Sequence, residues 1–249
     1  MNRTYQQFRR NLVSLADEKY RDFSMKSIPC ERPFLGVRIP EIRKLTREIP
    51  PENYADFLDA SPVAIEEVLA RGFLIARLSY EEMLNYFDSQ IKLLDNWCTV
   101  DTFVAALRKP VKNHEADFLE QKVKPLLESK NEFTLRTGLV CLLDFYIKPE
   151  YLELIFAYAD KINDQILIVK SSSSNKSSSP KPSEPNYYVK MALAWLLAEC
   201  FIKYPDRTYT YFGTAKLDKW TYNKTISKVC DSYRVDKSVK QELRKDVLK

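Results

Sequence analysis

Trp97 and Asp101 stand four residues apart in Asn96-Trp97-Cys98-Thr99-Val100-Asp101-Thr102-Phe103. On a helix that spacing places both side chains on one face. An indole beside a carboxylate suits a cationic ligand, because the ring face attracts cations and the carboxylate supplies the opposite charge. Taken alone, W-x-x-x-D more often marks a core tryptophan and a helix-surface aspartate. Trp195 lies within the apolar stretch Tyr188 to Phe201, beside Ala192 and Leu196 and on a line with Tyr188, Met191 and Glu199. Core packing is the ordinary use of such a residue. Arg136 stands next to Leu135 and Leu139, where a solvated arginine or a structural ion pair would serve as well.

Other chemistries find little support. The five cysteines, Cys30, Cys98, Cys141, Cys200 and Cys230, are widely spaced, and His114 is the single histidine. No CxxC pair occurs, which speaks against a zinc site or a Cys/His nucleophile. Buried free thiols in a reducing cytoplasm are the expected arrangement.

The elements that must position these residues read as helices. Ile65, Val68, Leu69, Gly72 and Ala76 follow the i, i+3, i+4, i+7 rule after Pro62. Leu135, Leu139, Leu142, Leu143 and Tyr146 repeat it, with Asn131 as the N-cap. Val189, Ala192, Leu193, Leu196, Leu197, Cys200 and Phe201 give the clearest stripe. Pro40, Pro62, Pro125, Pro149 and Pro205 punctuate the segments. Only four glycines occur in 249 residues, too few for a fold built on hairpin turns. The pattern predicts an all-α chain of ten to twelve short helices in antiparallel pairs. Stacked pairs would form a HEAT-like α-solenoid, each burying its apolar face on its neighbours. One domain spanning 1–249 is expected, interrupted at 171–185 by SSSSNKSSSPKPSEP, a flexible loop of low complexity. Lys170, Lys176 and Lys181 around it offer a minor route to DNA contact.

Charge is uneven. Residues 190–249 carry 13 Lys/Arg against 7 Asp/Glu, a net of +6, whereas the whole chain is +5. A solvated helical surface and a phosphate-binding face both fit such an excess. No apolar run approaches the roughly 20 residues of a membrane span. Met1 to Arg10 is polar, unlike a signal peptide. A cytoplasmic monomer is expected.

Several segments together resemble the AlkD-like DNA alkylation repair glycosylases. Phe34-Leu35-Gly36-Val37-Arg38-Ile39-Pro40-Glu41-Ile42-Arg43-Lys44-Leu45 resembles the family's N-terminal segment. Tyr187-Tyr188-Val189-Lys190-Met191-Ala192-Leu193-Ala194-Trp195 resembles one of its central helices. Leu217-Asp218-Lys219-Trp220-Thr221-Tyr222-Asn223-Lys224 and Ser232-Tyr233-Arg234-Val235 resemble its C-terminal helices. Trp97, Asp101, Arg136 and Trp195 match the spacing of its active-site set. The resemblance covers nearly the whole chain. Two features depart from it: the Ser-rich insertion before the Trp195 helix, and a short stretch ahead of the Leu35-Gly36-Val37-Arg38 segment.

The resemblance implies a concave cleft that binds double-stranded DNA, and hydrolysis of the N-glycosidic bond of N3- or N7-alkylated purines. Such a base is cationic and leaves neutral, so the charge growing on the deoxyribose is what needs stabilising. The resemblance gives that role to Asp101, with Trp97 and Trp195 flanking the sugar and Arg136 holding a phosphate. Lys203, Lys219, Lys224 and Arg234 are expected to flank the same cleft and contact phosphates. No flipped-base pocket, metal or organic cofactor is implied. A non-catalytic protein for bent, damaged or branched DNA, and a solenoid scaffold for protein partners, are the rival readings.

Overall fold

A computed structural model describes residues 3–171 and 184–248. The Ser-rich stretch, with Lys176 and Lys181, lies essentially outside them. All regular secondary structure among the described residues is helical, as the periodicity predicts. The chain divides into two compact units, Met1–Glu120 and Gln121–Lys249.

The first unit holds α1 (Arg3–Ser14), α2 (Glu18–Ser24), α3 (Ile39–Arg47), α4 (Tyr54–Leu58), α5 (Ile65–Ile75), α6 (Tyr80–Ile91), α7 (Trp97–Ala106), α8 (Arg108–Val111) and α9 (Glu115–Phe118). The second holds α10 (Lys124–Leu127), α11 (Glu132–Phe145), α12 (Leu152–Ser171), α13 (Tyr187–Lys203), α14 (Pro205–Phe212), α15 (Lys219–Asp231) and α16 (Lys237–Lys245). The helices are more finely divided than the ten to twelve expected. Pro110 lies in α8 and Pro125 in α10, each only four residues long, as a residue without an N–H and with fixed φ tends to enforce.

Packing follows a solenoid rule, in which alternate helices touch. In the first unit α1 packs on α3, α3 on α5 and α5 on α7; in the second α11 packs on α13 and α13 on α15. Intervening helices brace these rows, α6 on α5 and α14 on α13. Close approach is built in at Gly72, where a Cβ would lie 3.0 Å from the Phe103 ring of α7. The row helices α5, α11 and α13 are accordingly buried on most sides. In α11 every residue from Leu135 to Leu142 is buried, polar Arg136 and Thr137 included.

Both units contain carboxylates that cap a neighbour's backbone. Glu66 of α5 is fully buried and accepts the N–H groups of Leu35, Gly36 and Val37 at 3.2, 2.8 and 3.1 Å. Burial pushes its carboxyl up, and these bonds pull it back. Gly36 takes φ +87°, and a Cβ there would meet the Asp17 carbonyl oxygen at 2.3 Å. The Leu35-Gly36-Val37 turn is therefore a backbone wrap around one carboxylate, which fixes the entry of α3.

Candidate active site

In the first unit, Asn96 caps α7 by accepting the Thr99 N–H at 3.0 Å. Its amide also donates to Asp95, which in turn accepts from Arg32 at 3.1 Å. From that fixed start, Val100, Phe103, Val104 and Leu107 turn into the core. Burial of apolar side chains of this size contributes roughly 1.5–3 kcal/mol each. The opposite face stays open: Trp97, Cys98, Asp101 and Thr102 are half-buried and Ala105 is exposed. Trp97 and Asp101 thus share the open face, as their spacing predicts. The Trp97 indole is held from behind, its Nε1–H donating to the Ser27 carbonyl at 2.7 Å. The Cys98 thiol is pushed up to about 11, mainly by burial and further by the Asp101 charge.

In the second unit, α13 is buried almost all round. Before its last two residues, Ile202 and Lys203, the exception is a stripe at four-residue spacing: Tyr187, Met191, Trp195 and Glu199, all half-buried. Trp195 is therefore on the helix's open stripe. Its line includes Tyr187; Tyr188, the neighbour expected from the sequence, turns inward and packs on Phe133 at 5.4 Å between ring centroids. Tyr187 lies 5.9 Å from the Trp220 ring, which adds a third aromatic group to this surface.

Arg136 is only 5% exposed, and its Nη1 donates to the Tyr188 carbonyl at 2.8 Å. Glu132, one turn earlier on α11, accepts the Tyr188 N–H at 2.7 Å. α11 thus holds both polar groups of one peptide-bonded residue in the first turn of α13. Asn186, at φ 64°, makes no side-chain cap of its own, so Glu132 supplies it from the adjacent helix. At the other side, Lys190 and Asp218 form an ion pair at 2.9 Å with side chains 2% and 7% exposed. Asp218 also accepts the Thr221 hydroxyl. These contacts set the position and rotation of the Trp195 helix.

The remaining candidate cations differ in their engagement. Lys203 donates to the Ile147 carbonyl at 2.6 Å. Arg234 pairs with Glu199 at 2.6 Å, beside the open stripe. Lys219 is exposed and Lys224 half-buried, and neither has a carboxylate partner among the described residues.

A family model for DNA alkylation repair enzymes matches residues 8–229. The chain belongs to that family. Comparison with curated proteins gives no match. For a DNA alkylation repair protein, the two open helix faces are the natural places to look for chemistry. The candidates Trp97, Asp101 and Trp195 lie on open helix faces, and the sequence gives no sign of the contacts made by Glu132, Glu66, Tyr187 and Trp220. Glu132 and Glu66 each lie in the first turn of a helix, where an acidic residue reads as an ordinary exposed N-terminal charge. Only their burial shows the neighbouring backbone they serve. Tyr187 and Trp220 lie within segments that carry the family resemblance, and 33 positions of sequence separate the two rings that meet.

The described residues include no group of three His, Cys, Asp or Glu placed to hold a metal ion. No described helix is long and apolar enough to cross a membrane.

Proposed function

We propose that the protein is a DNA N-glycosylase that removes N3- or N7-alkylated purines. The observation that carries this reading is the shared open face of α7, where a carboxylate stands one turn from an anchored indole in a member of a DNA alkylation repair family. Alkylation leaves the purine cationic, so it departs as a neutral base without needing a strong acid. As the glycosidic bond stretches, positive charge moves onto the deoxyribose. Asp101 stabilises that charge and orients the attacking water. The water's oxygen bonds to C1′, its proton is lost to solvent, and the bonding electrons leave with the base.

Trp97 presents its ring to the sugar, and Trp195 offers a second open aromatic ring to the DNA on α13. Their side chains are suited to the task because each is half-buried and so both held and reachable. Lys219, Lys224 and Arg234 grip phosphates, joined by Lys203. Arg136 serves the Trp195 helix through its bond to the Tyr188 carbonyl, and its part in DNA binding is to hold that helix in place. Double-stranded DNA is the partner in this reading.

The test is release of free methylated base from N7-methylguanine-containing duplex, with abasic DNA as the second product. The proposal expects multiple turnovers or a stoichiometric burst above spontaneous loss. Wild-type protein that binds the duplex and releases nothing above background would reject the enzyme and leave a DNA-binding protein.

A further inference from the structure

A second basic surface lies in the first unit, away from Trp97 and outside the charge-rich C-terminal region. A pocket of about 420 Å³ is lined by Arg43, Arg47, Phe73, Arg77, Ala106 and Lys109. A neighbouring cavity of about 660 Å³ shares Arg77 and Lys109 along its edge. Arg43 stacks over the Phe73 ring at 4.1 Å, and Arg77 donates to the Thr46 carbonyl at 3.0 Å. None of the four cations has a carboxylate partner among the described residues. Glu82, in the neighbouring cavity, is instead engaged by Ser79.

The ends of α3, α5 and α7 meet here. Each is a C-terminal end and carries about half a negative charge. Three ends therefore offset fewer than half of the four positive side chains. The surplus is felt within the pocket: burial, and then the like charge of Arg47, push the Arg43 guanidinium down. A structural role as helix caps accounts for Arg77 but leaves Arg47 and Lys109 without a partner.

We propose that this pocket holds a backbone phosphate of the DNA bound by the protein, forming a contact separate from Trp97 and Asp101. The proposal rests on the DNA-binding part of the functional reading. Arg43, half-buried over Phe73, forms the floor, while Arg47, Arg77 and Lys109 are exposed at the rim. A phosphate seated there stays joined to a polymer outside. Ala106 follows Trp97 along α7 by about 13 Å at 1.5 Å per residue. That is about four steps of duplex rise at 3.4 Å each. The contact therefore lengthens the footprint to one side of the lesion rather than adding to the chemistry.

The test compares Arg47→Gln/Lys109→Gln with wild type and with a control, Arg10→Gln/Lys92→Gln, that removes two exposed cations elsewhere. Binding of a labelled, undamaged duplex is measured by anisotropy from 50 to 200 mM salt. The pocket variant is expected to bind about tenfold more weakly at low salt, with a log–log salt slope shallower by about 1 to 2. The control keeps most of both. Wild type that binds while the pocket variant retains its slope and affinity overturns the pocket alone, as does an equal loss in the control. Saturable pyrophosphate binding, lost in the pocket variant with duplex binding intact, would reassign the pocket to a soluble phosphate ester and overturn the proposal. Wild type that does not bind duplex overturns this contact and the functional reading together.

Discussion

The Trp97 indole Nε1–H donates to the Ser27 carbonyl at 2.7 Å, joining the first residue of α7 to the loop that follows α2. This bond fixes the plane of the ring on the open face while leaving Asp101 one turn away on the same helix. Trp97→Phe retains a ring but deletes the donor. A hydrogen bond of this kind contributes about 0.5–1.5 kcal/mol. Amide exchange across residues 26–30 should therefore quicken by roughly 2- to 13-fold where exchange follows local opening. Unchanged protection in that segment would show that the ring is held by packing alone.

Cys98 offers a local reading of the Asp101 charge. Its thiol titrates at about 11 against an ordinary 9.0, chiefly because of burial and further because of Asp101. The folded value lies above the unfolded one, so the associated stability is present below pH 9 and is lost as pH rises towards 11. Asp101→Asn removes one of the raising causes. Alkylation of Cys98 at pH 9–10 should then be faster in the variant than in wild type, because the thiolate is the reactive form. Mass spectrometry of the labelled peptide gives the rate. Equal rates would indicate that the Asp101 carboxylate does not act on this thiol.

The Lys190–Asp218 pair predicts a specific pattern of stability. Both groups are nearly inaccessible, so removal of one leaves the other charged and buried. Lys190→Met or Asp218→Asn should each cost about 3–5 kcal/mol in denaturant unfolding. Changing both together should cost less than the sum of the two, because the double variant has no stranded charge. Additive losses would mean that the two residues stabilise α13 independently.

The helices were legible where apolar residues repeat at 3.6-residue spacing, as in Ile65 to Ala76 and Val189 to Phe201. The stacking of alternate helices was legible only as a consequence of that pattern, since no sequence repeat marks it. Pro125 was read as a boundary, but the four-residue helices around it are too short to show a period. At the candidate site, the W-x-x-x-D spacing correctly placed Trp97 and Asp101 on one face because helix geometry alone determines it. Arg136 was expected to meet phosphate, and its bond to the Tyr188 carbonyl could not be read from spacing because the two residues lie 52 positions apart. Lys203 hides its Ile147 partner for the same reason. The cations of the α3–α5–α7 pocket were invisible as a group because they are contributed by three separate segments, each with ordinary local charge.

The most direct measurement is single-turnover release of 7-methylguanine from duplex DNA by wild type and Asp101→Asn, with duplex affinity measured in parallel. The charge on the sugar grows only as the bond breaks, so Asp101 helps the transition state more than the bound duplex. Loss of one such preorganised group costs on the order of 10² to 10³ in rate. Asp101→Asn should therefore bind DNA nearly as well as wild type while releasing base at least about a hundredfold more slowly. Equal release by the two proteins would contradict the assignment of Asp101, and absence of release by wild type would contradict the glycosylase itself.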